Sequence, residues 1–199
     1  MLQDEKKAYE SLYKMMNSYS EISPKTWEEI QNISQYITIE KQSFLCRIND
    51  IPKSLFFISK GLARDYVIHE KGTEYNEMFF DEGSLVGSMT ALLNHEPSNF
   101  EIQTLEDCQI IKIDFKSFRQ LLYKSEDLKV FHIHYLEKNW LMANQSLKLS
   151  YVQDDAQQRY EIFLETYPNL EERIPQYHIA SYLGITPIQL SRIRKNKNY

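Results

Sequence analysis

The stretch that decides the fold is SLFFISKGLARDYVIHEKGTEYNEMFFDEGSLVG, residues 54–87. Its internal glycines, Gly61, Gly72 and Gly83, recur every 11 residues and separate segments rich in β-branched and aromatic residues. Segments of this composition between turn-forming residues are typical of short strands joined by tight turns. The strands predicted in this way are Ser54–Ser59, Leu62–His69 and Thr73–Asp81.

Alternating apolar residues extend the strand pattern on both sides of this stretch. Phe44, Cys46 and Ile48 occupy every second position, and so do Phe100 and Ile102. Residues spaced by two share one face of a strand. Strands about every 8 to 15 residues, between about residues 36 and 113, predict an antiparallel roll or barrel.

Helices are predicted before and after the roll. Ser23 and Pro24 form an N-cap signal for a short helix that precedes it. Residues 126–150 contain neither Gly nor Pro and carry apolar residues at steps of 3 and 4, which predicts one long amphipathic helix. This helix either pairs with a second copy, as in a two-stranded coiled coil, or is buried within its own monomer. The candidate dimer-helix residues are Ile133, Leu136, Trp140, Ala143 and Leu147.

Residues 174–195 predict a helix-turn-helix. Gly184 permits the left-handed backbone of a tight turn, Thr186 caps the second helix, and Leu190 and Ile193 face inward at helical spacing. The outward side of that second helix fits the major groove of DNA. The candidate DNA-binding residues are Thr186, Ile188, Gln189, Ser191, Arg192, Arg194, Lys195 and Lys197.

Three of these side chains are candidates for contact with base edges. Arg192 can donate two hydrogen bonds to a guanine, Gln189 can reach an adenine or a phosphate, and Ile188 can touch a thymine methyl. The remaining hydroxyl and basic side chains suit phosphate contact. The alternative is a plain helical hairpin with an exposed charged side.

Composition excludes several function classes. The chain has 199 residues, 42% of them hydrophobic and 26% charged, and a net charge of −5, with its basic residues concentrated at the C-terminus. No segment approaches the roughly 20 apolar residues that a bilayer-spanning helix needs, and we expect no membrane association. Two cysteines without ligand spacing indicate a reducing, cytoplasmic setting and no metal site. No nucleophile, paired-carboxylate or phosphate-loop pattern indicates an enzyme.

The order of these parts resembles the Crp/Fnr family of bacterial transcription regulators, which join a cyclic-nucleotide-binding-like roll, a dimer helix and a helix-turn-helix. Three segments carry the resemblance: Leu55–Arg64 is similar to the roll, Phe80–Gly87 to the entry of the ligand cassette, and Ile179–Thr186 with Leu190–Arg192 to the DNA reader. The resemblance implies a double-stranded β-helix roll, a two-fold DNA operator and a homodimer. RNA polymerase is a further candidate partner.

Departures from the family pattern bear on the effector. Nucleotide-binding members carry an acid after the cassette glycine for the ribose, and an Arg with Ser or Thr for the cyclic phosphate. The corresponding residues here are Gly87, Ser88, Ser98 and Asn99, so both charged groups are missing. We expect cyclic AMP not to be the effector, because a buried phosphate without its guanidinium loses a strong charge-assisted pair.

Other cofactors of the family are also not expected. Its iron–sulfur sensors need four cysteines, and this chain has two. The five histidines form no haem-ligand pattern. The reader departs as well, because Ile188 stands where many members have a Glu that contacts cytosine.

Together these observations predict an α+β chain. Residues 1–125 form N-terminal helices and the sensor roll, 126–151 the dimerisation helix, and 152–199 the helix-turn-helix domain. The predicted function is a dimeric, sequence-specific DNA-binding transcription regulator without a cofactor. The alternative is a ligand-binding or scaffold module with a vestigial DNA reader.

Overall fold

The computed structural model describes residues 2–142 and 154–197. The chain divides into two compact units. The first contains Met1–Asp65 and Phe79–Lys138, and the second contains Tyr66–Met78 and Asn139–Tyr199. Residues 126–138 thus group with the roll, and the tip of one hairpin groups with the C-terminal residues. The three-part division at 125 and 151 stays a prediction.

Two helices open the first unit. Helix α1, Leu2–Asn17, buries Ala8, Leu12 and Met16 along one face. Helix α2, Pro24–Asn32, begins at the predicted signal: Ser23 is its N-cap, and the Ser23 hydroxyl accepts a hydrogen bond from the Thr26 N–H.

Eight strands follow and form two four-stranded sheets, with strand orders β1-β8-β3-β6 and β2-β7-β4-β5. All four registered strand pairs are antiparallel, so the predicted antiparallel roll is confirmed. The strands are β1 Ser34–Ile39, β2 Phe44–Cys46, β3 Ser54–Lys60, β4 Ala63–Ile68, β5 Glu74–Phe80, β6 Leu85–Val86, β7 Glu101–Thr104 and β8 Cys108–Asp114.

Glycines join the strands of the decisive stretch. Gly61, Gly72 and Gly83 all have positive φ, at +105°, +79° and +95°. A side chain is strained in this region of backbone space, and glycine is not. The 11-residue glycine spacing therefore marks the turns between consecutive strands.

The core of the roll is apolar and contains both cysteines. The buried cluster consists of Cys46, Phe56, Ile58, Ala63, Val86, Ile102, Cys108 and Ile110. Burial raises the pKa of both thiols, that of Cys108 to about 11. Neither cysteine is in a disulfide.

Three helices complete the first unit: α3 Met89–Asn94, α4 Phe115–Lys124 and α5 Glu126–Leu136. A π-helical segment, Glu137–Met142, continues directly from α5. The described part of the helix predicted over 126–150 is helical throughout, but its hydrogen-bond pattern widens to i+5 from Glu137. Residues 143–150 lie outside the described ranges.

In the second unit, three helices accompany the hairpin tip. They are α6 Ala156–Thr166, α7 Gln176–Tyr182 and α8 Pro187–Lys197. Asp155 caps α6 in a capping box with Gln158. Phe163, Ile179, Leu183 and Leu190 are fully buried and form the centre of this small core. Within the described ranges, no helix is long and apolar enough to cross a bilayer.

Candidate nucleic-acid interface and sensor pocket

The turn between α7 and α8 has the geometry of a helix-turn-helix. Gly184 has φ +67°, and its N–H donates to the Ser181 carbonyl at 3.1 Å. The Ile185 N–H donates to the Ala180 carbonyl at 3.0 Å. These bonds close the end of α7 around a left-handed residue, a common way to end a helix sharply. The predicted turn at Gly184 is confirmed.

The start of α8 is fixed by a reciprocal pair of side chains. The Thr186 hydroxyl accepts from the Gln189 N–H at 3.2 Å, and the Gln189 side-chain oxygen accepts from the Thr186 N–H at 2.9 Å. This is a capping box. Thr186 caps the helix as predicted, and the Gln189 amide oxygen also serves the helix start.

One side of α8 is exposed and carries the predicted base-reading residues. Ile188 is 68% exposed, Arg192 and Lys195 are exposed, and Ser191 is half-buried. Leu190, on the opposite side, is fully buried. The structure therefore brings an apolar side chain and two cations together on a surface that a partner can reach. The side chain of Lys197 lies outside the described part of the chain.

Arg194 forms an ion pair with Glu171 of the same compact unit. Its guanidinium lies 3.0 Å from a Glu171 carboxylate oxygen, which also accepts a hydrogen bond from the Tyr160 hydroxyl. Burial and the neighbouring Glu171 raise the pKa of Tyr160 to about 12. Arg194 thus braces α8 instead of lying open for phosphate contact. Sequence reasoning missed Glu171, because its partner lies 23 positions further along the chain.

Two of the four cassette residues in the roll, Ser88 and Ser98, bind each other. Ser88 and Ser98 are both buried, and the Ser98 hydroxyl lies 3.0 Å from the Ser88 hydroxyl and donates to the Phe100 carbonyl at 2.7 Å. Gly87 is tightly packed, since an added Cβ would lie 2.8 Å from Leu55 Cδ2. Asn99 is exposed. The two serines therefore satisfy their polar groups within the protein.

Two further polar groups near the roll strands were not singled out from the sequence. Arg64 on β4 is buried, and its Nη2 donates to the Gln103 side-chain oxygen at 2.8 Å. The Tyr135 hydroxyl on α5 accepts from the Leu85 N–H at 3.1 Å, and burial raises the pKa of Tyr135 to about 12. Tyr135 thus ties α5 to β6, the strand that leads into the cassette.

The predicted dimer-helix residues fall partly within the described ranges. Ile133 is 53% exposed, and Leu136 and Trp140 are half-buried. Leu141 and Met142, which follow them, are also exposed. Ala143 and Leu147 lie outside the described ranges.

Fold and site together define a class of protein: an antiparallel β-roll joined in one chain to a helix-turn-helix. Residues 36–125 match the family model described as a cyclic nucleotide-binding domain. The fumarate and nitrate reduction regulatory protein of Escherichia coli K12 is 28% identical over 169 residues, which cover 78% of this chain and 65% of the relative. A protein of the same name from Salmonella typhi matches equally well.

Solved structures agree with this class. The c-di-GMP-responsive regulator CLP of Xanthomonas campestris has a TM-score of 0.69 at 16% identity, covering 88% of this chain and 92% of that one. FixK2 of Bradyrhizobium japonicum has a TM-score of 0.70 at 14% identity, covering 82% and 84%. These structures show the same fold, and together with the matched roll and the 28% identical relatives they agree with the resemblance to the Crp/Fnr family. The chain spans slightly less than two thirds of the curated relatives it matches.

Proposed function

We propose that this chain is a sequence-specific DNA-binding transcription regulator that acts as a homodimer. The observation that carries the proposal is the second helix of the helix-turn-helix: it is capped, braced from behind by Glu171, and exposes Ile188, Arg192 and Lys195. A helix of this kind fits the major groove, where a guanidinium distinguishes guanine and an apolar side chain contacts a thymine methyl. Its site of action would be the cytoplasm, where the two cysteines remain thiols.

The homodimer is supported by the exposed apolar residues around the end of α5. Ile133, Leu141 and Met142 are each more than half exposed in the single chain. Neighbouring exposed apolar residues mark interaction surfaces more often than scattered ones do. A second copy is the partner whose symmetry also places two readers on one operator.

The sensor roll is proposed to act without cyclic AMP. In place of the acid and cation that hold such a ligand, Ser88 and Ser98 are buried and hydrogen-bonded to each other. A cyclic phosphate would have to break this bond and gain no charged partner from either position. A ligand of this roll would carry less negative charge and more apolar surface.

Selection from random DNA tests the proposed function. The purified chain is incubated with random duplexes, and the bound fraction is sequenced over several rounds. We expect an inverted repeat whose half-sites are about 10 base pairs apart, or a multiple of that, because two readers face one side of the duplex. Absence of enrichment, or equal affinity for the selected and scrambled duplexes, would overturn the proposal.

A further inference from the structure

A buried polar cluster joins the hairpin tip to the first helix of the helix-turn-helix. Its members are Asn76 on β5 and His178 and Ser181 on α7, separated by more than 100 residues. We propose that Asn76 is a positioning residue for DNA binding, which holds α7 and thereby sets the orientation of the reader helix α8. The proposal rests on the proposed function.

Ser181 completes the open edge of β5. Among the described strands, β5 is the last in its sheet, so one of its edges faces no further described strand. The Asn76 N–H donates to the Ser181 hydroxyl at 3.1 Å, and that hydroxyl donates to the Glu74 carbonyl at 2.7 Å. One serine therefore satisfies two edge groups that a further strand would otherwise bind.

The side chain of Asn76 adds a second attachment. Its amide nitrogen donates to the His178 carbonyl at 3.0 Å and lies 3.3 Å from His178 Nδ1. Because a carbonyl only accepts, the amide nitrogen and not its oxygen faces His178. Nδ1 can accept from this amide in the tautomer that carries the ring proton on Nε2. Both residues are buried, so replacing Asn76 would remove a hydrogen bond to the His178 carbonyl at a place shielded from water.

The cluster restrains α7 and leaves the reader open. The Ile185 to Ala180 bond at the turn fixes α8 relative to α7, while Ile188 and Arg192 remain exposed. Asn76 therefore holds a geometry that is ready for DNA.

Alanine variants test this role on the operator found by selection. Asn76→Ala and Ser181→Ala should each raise the operator Kd about five- to tenfold, the scale of losing one or two net hydrogen bonds. The double variant should bind the operator more weakly than either single variant, because each single variant leaves one of the two attachments to α7 in place. Asn94→Ala is the matched control, since this exposed asparagine makes no side-chain hydrogen bond within the described ranges.

Active-site titration separates positioning from stability. At protein and operator concentrations far above Kd, the endpoint measures the fraction of folded, competent protein. If Asn76 positions the reader helix, each variant should have an unchanged titration endpoint and a raised operator Kd. A lowered endpoint with an unchanged operator Kd would overturn the proposal. Tighter operator binding by either variant would also overturn it, because the contact would then inhibit DNA binding.

Hydrogen exchange of the Asn76 amide, measured by NMR, tests the contact between Asn76 and Ser181 in the absence of DNA. The Asn76 N–H should exchange slowly in the unmodified chain and at least tenfold faster in Ser181→Ala. Equal rates in the two proteins would overturn the proposal even where the operator is bound. A chain that selects no DNA would overturn the proposed function and the positioning role together, and the exchange rates would then report the contact alone.

Discussion

Arg192 and Lys195 lie on the exposed side of α8 and should contribute to DNA binding in different ways. Arg192→Ala should cost about 1–3 kcal/mol on the best operator and relax the preference at one base pair, because a guanidinium spans two acceptors of guanine. Lys195→Ala should weaken all DNA alike and lower the salt slope by about one. Anisotropy titrations on operator and scrambled DNA at two salt concentrations decide between these roles. Equal weakening of both duplexes by Arg192→Ala would make Arg192 a phosphate contact.

Asp127 links the start of α2 to the start of α5 and should make stability depend on pH. Burial alone would raise the pKa of its carboxyl, but hydrogen bonds from Ser23, Thr26 and Leu128 outweigh burial and lower the pKa. A lowered pKa in the folded state stabilises the protein above the ordinary carboxyl pKa, and this contribution disappears as the pH falls through the folded value.

Replacement of Asp127 checks this dependence. Asp127→Asn should lower the free energy of unfolding by roughly 1 kcal/mol at pH 7, a modest loss because the carboxylate is partly exposed. The difference from the unmodified chain should shrink toward pH 3, as urea unfolding at both pH values can show. Asp154→Asn should show no such narrowing, because its carboxylate makes no hydrogen bond within the described ranges. A difference that grows toward acid would contradict the sign.

For single residues, the sequence predicts which side chains are exposed better than it predicts which residues form hydrogen bonds with each other. Helical spacing correctly places Ile188 and Arg192 outside and Leu190 inside α8, because period alone decides the face of a helix. It carries no information on Asn76 and Ser181, which meet only after the chain has folded across 105 positions. The capping role of Gln189 was not predicted, although its partner Thr186 lies only three positions away.

At the level of elements, the turns of the roll should differ in their tolerance of a side chain. A Cβ on Gly61 would lie 2.7 Å from both the Asp107 carbonyl oxygen and Cys108 Sγ, whereas Gly72 faces open space. Gly72→Ala should lower the free energy of unfolding by about 1–2 kcal/mol, because the new side chain is strained in a left-handed backbone. Gly61→Ala should cost about 2–4 kcal/mol, because steric overlap is added. Urea unfolding of both variants measures the difference, and equal costs would refute the close approach.

The end of α5 should carry the dimer contact. Ile133→Glu should dissociate the dimer at micromolar concentration without unfolding the chain, because Ile133 is 53% exposed in the single chain. Leu93→Glu is the matched control: Leu93 is 49% exposed on α3, and its replacement should leave the dimer intact. Sedimentation velocity distinguishes the species. A monomeric unmodified chain, or a dimer in Ile133→Glu, would contradict this location.

Elements bounded by glycine or by a cap were predictable, and the interior of the long helix was not. Gly61, Gly72 and Gly83 limit β3, β4 and β5 to within one or two residues of the prediction, because turns demand a specific backbone. The π-helical segment at Glu137–Met142 has no such mark. Its sequence keeps helical spacing without Gly or Pro, and the wider bonding depends on packing.

For the whole molecule, we expect no cyclic AMP binding at physiological concentration. The buried Ser88 to Ser98 hydrogen bond occupies the position where charged ligand contacts would be needed. Isothermal titration calorimetry with cyclic AMP should give no saturable heat up to millimolar ligand, and the thermal midpoint should not move. A micromolar or tighter Kd would refute this expectation.

The discontinuous second unit has a consequence for how this chain can be divided. Its folded body includes Tyr66–Met78, which the chain supplies long before the helices of the helix-turn-helix. A fragment that starts after residue 138 would expose the partners of Asn76, the Ser181 hydroxyl and the His178 carbonyl, to water. Grafting this reader onto another sensor, by engineering or by gene fusion, would therefore require that the new sensor also provide a matching strand edge. The second unit is built from two separate chain segments, so cutting the chain at a single linker does not preserve it.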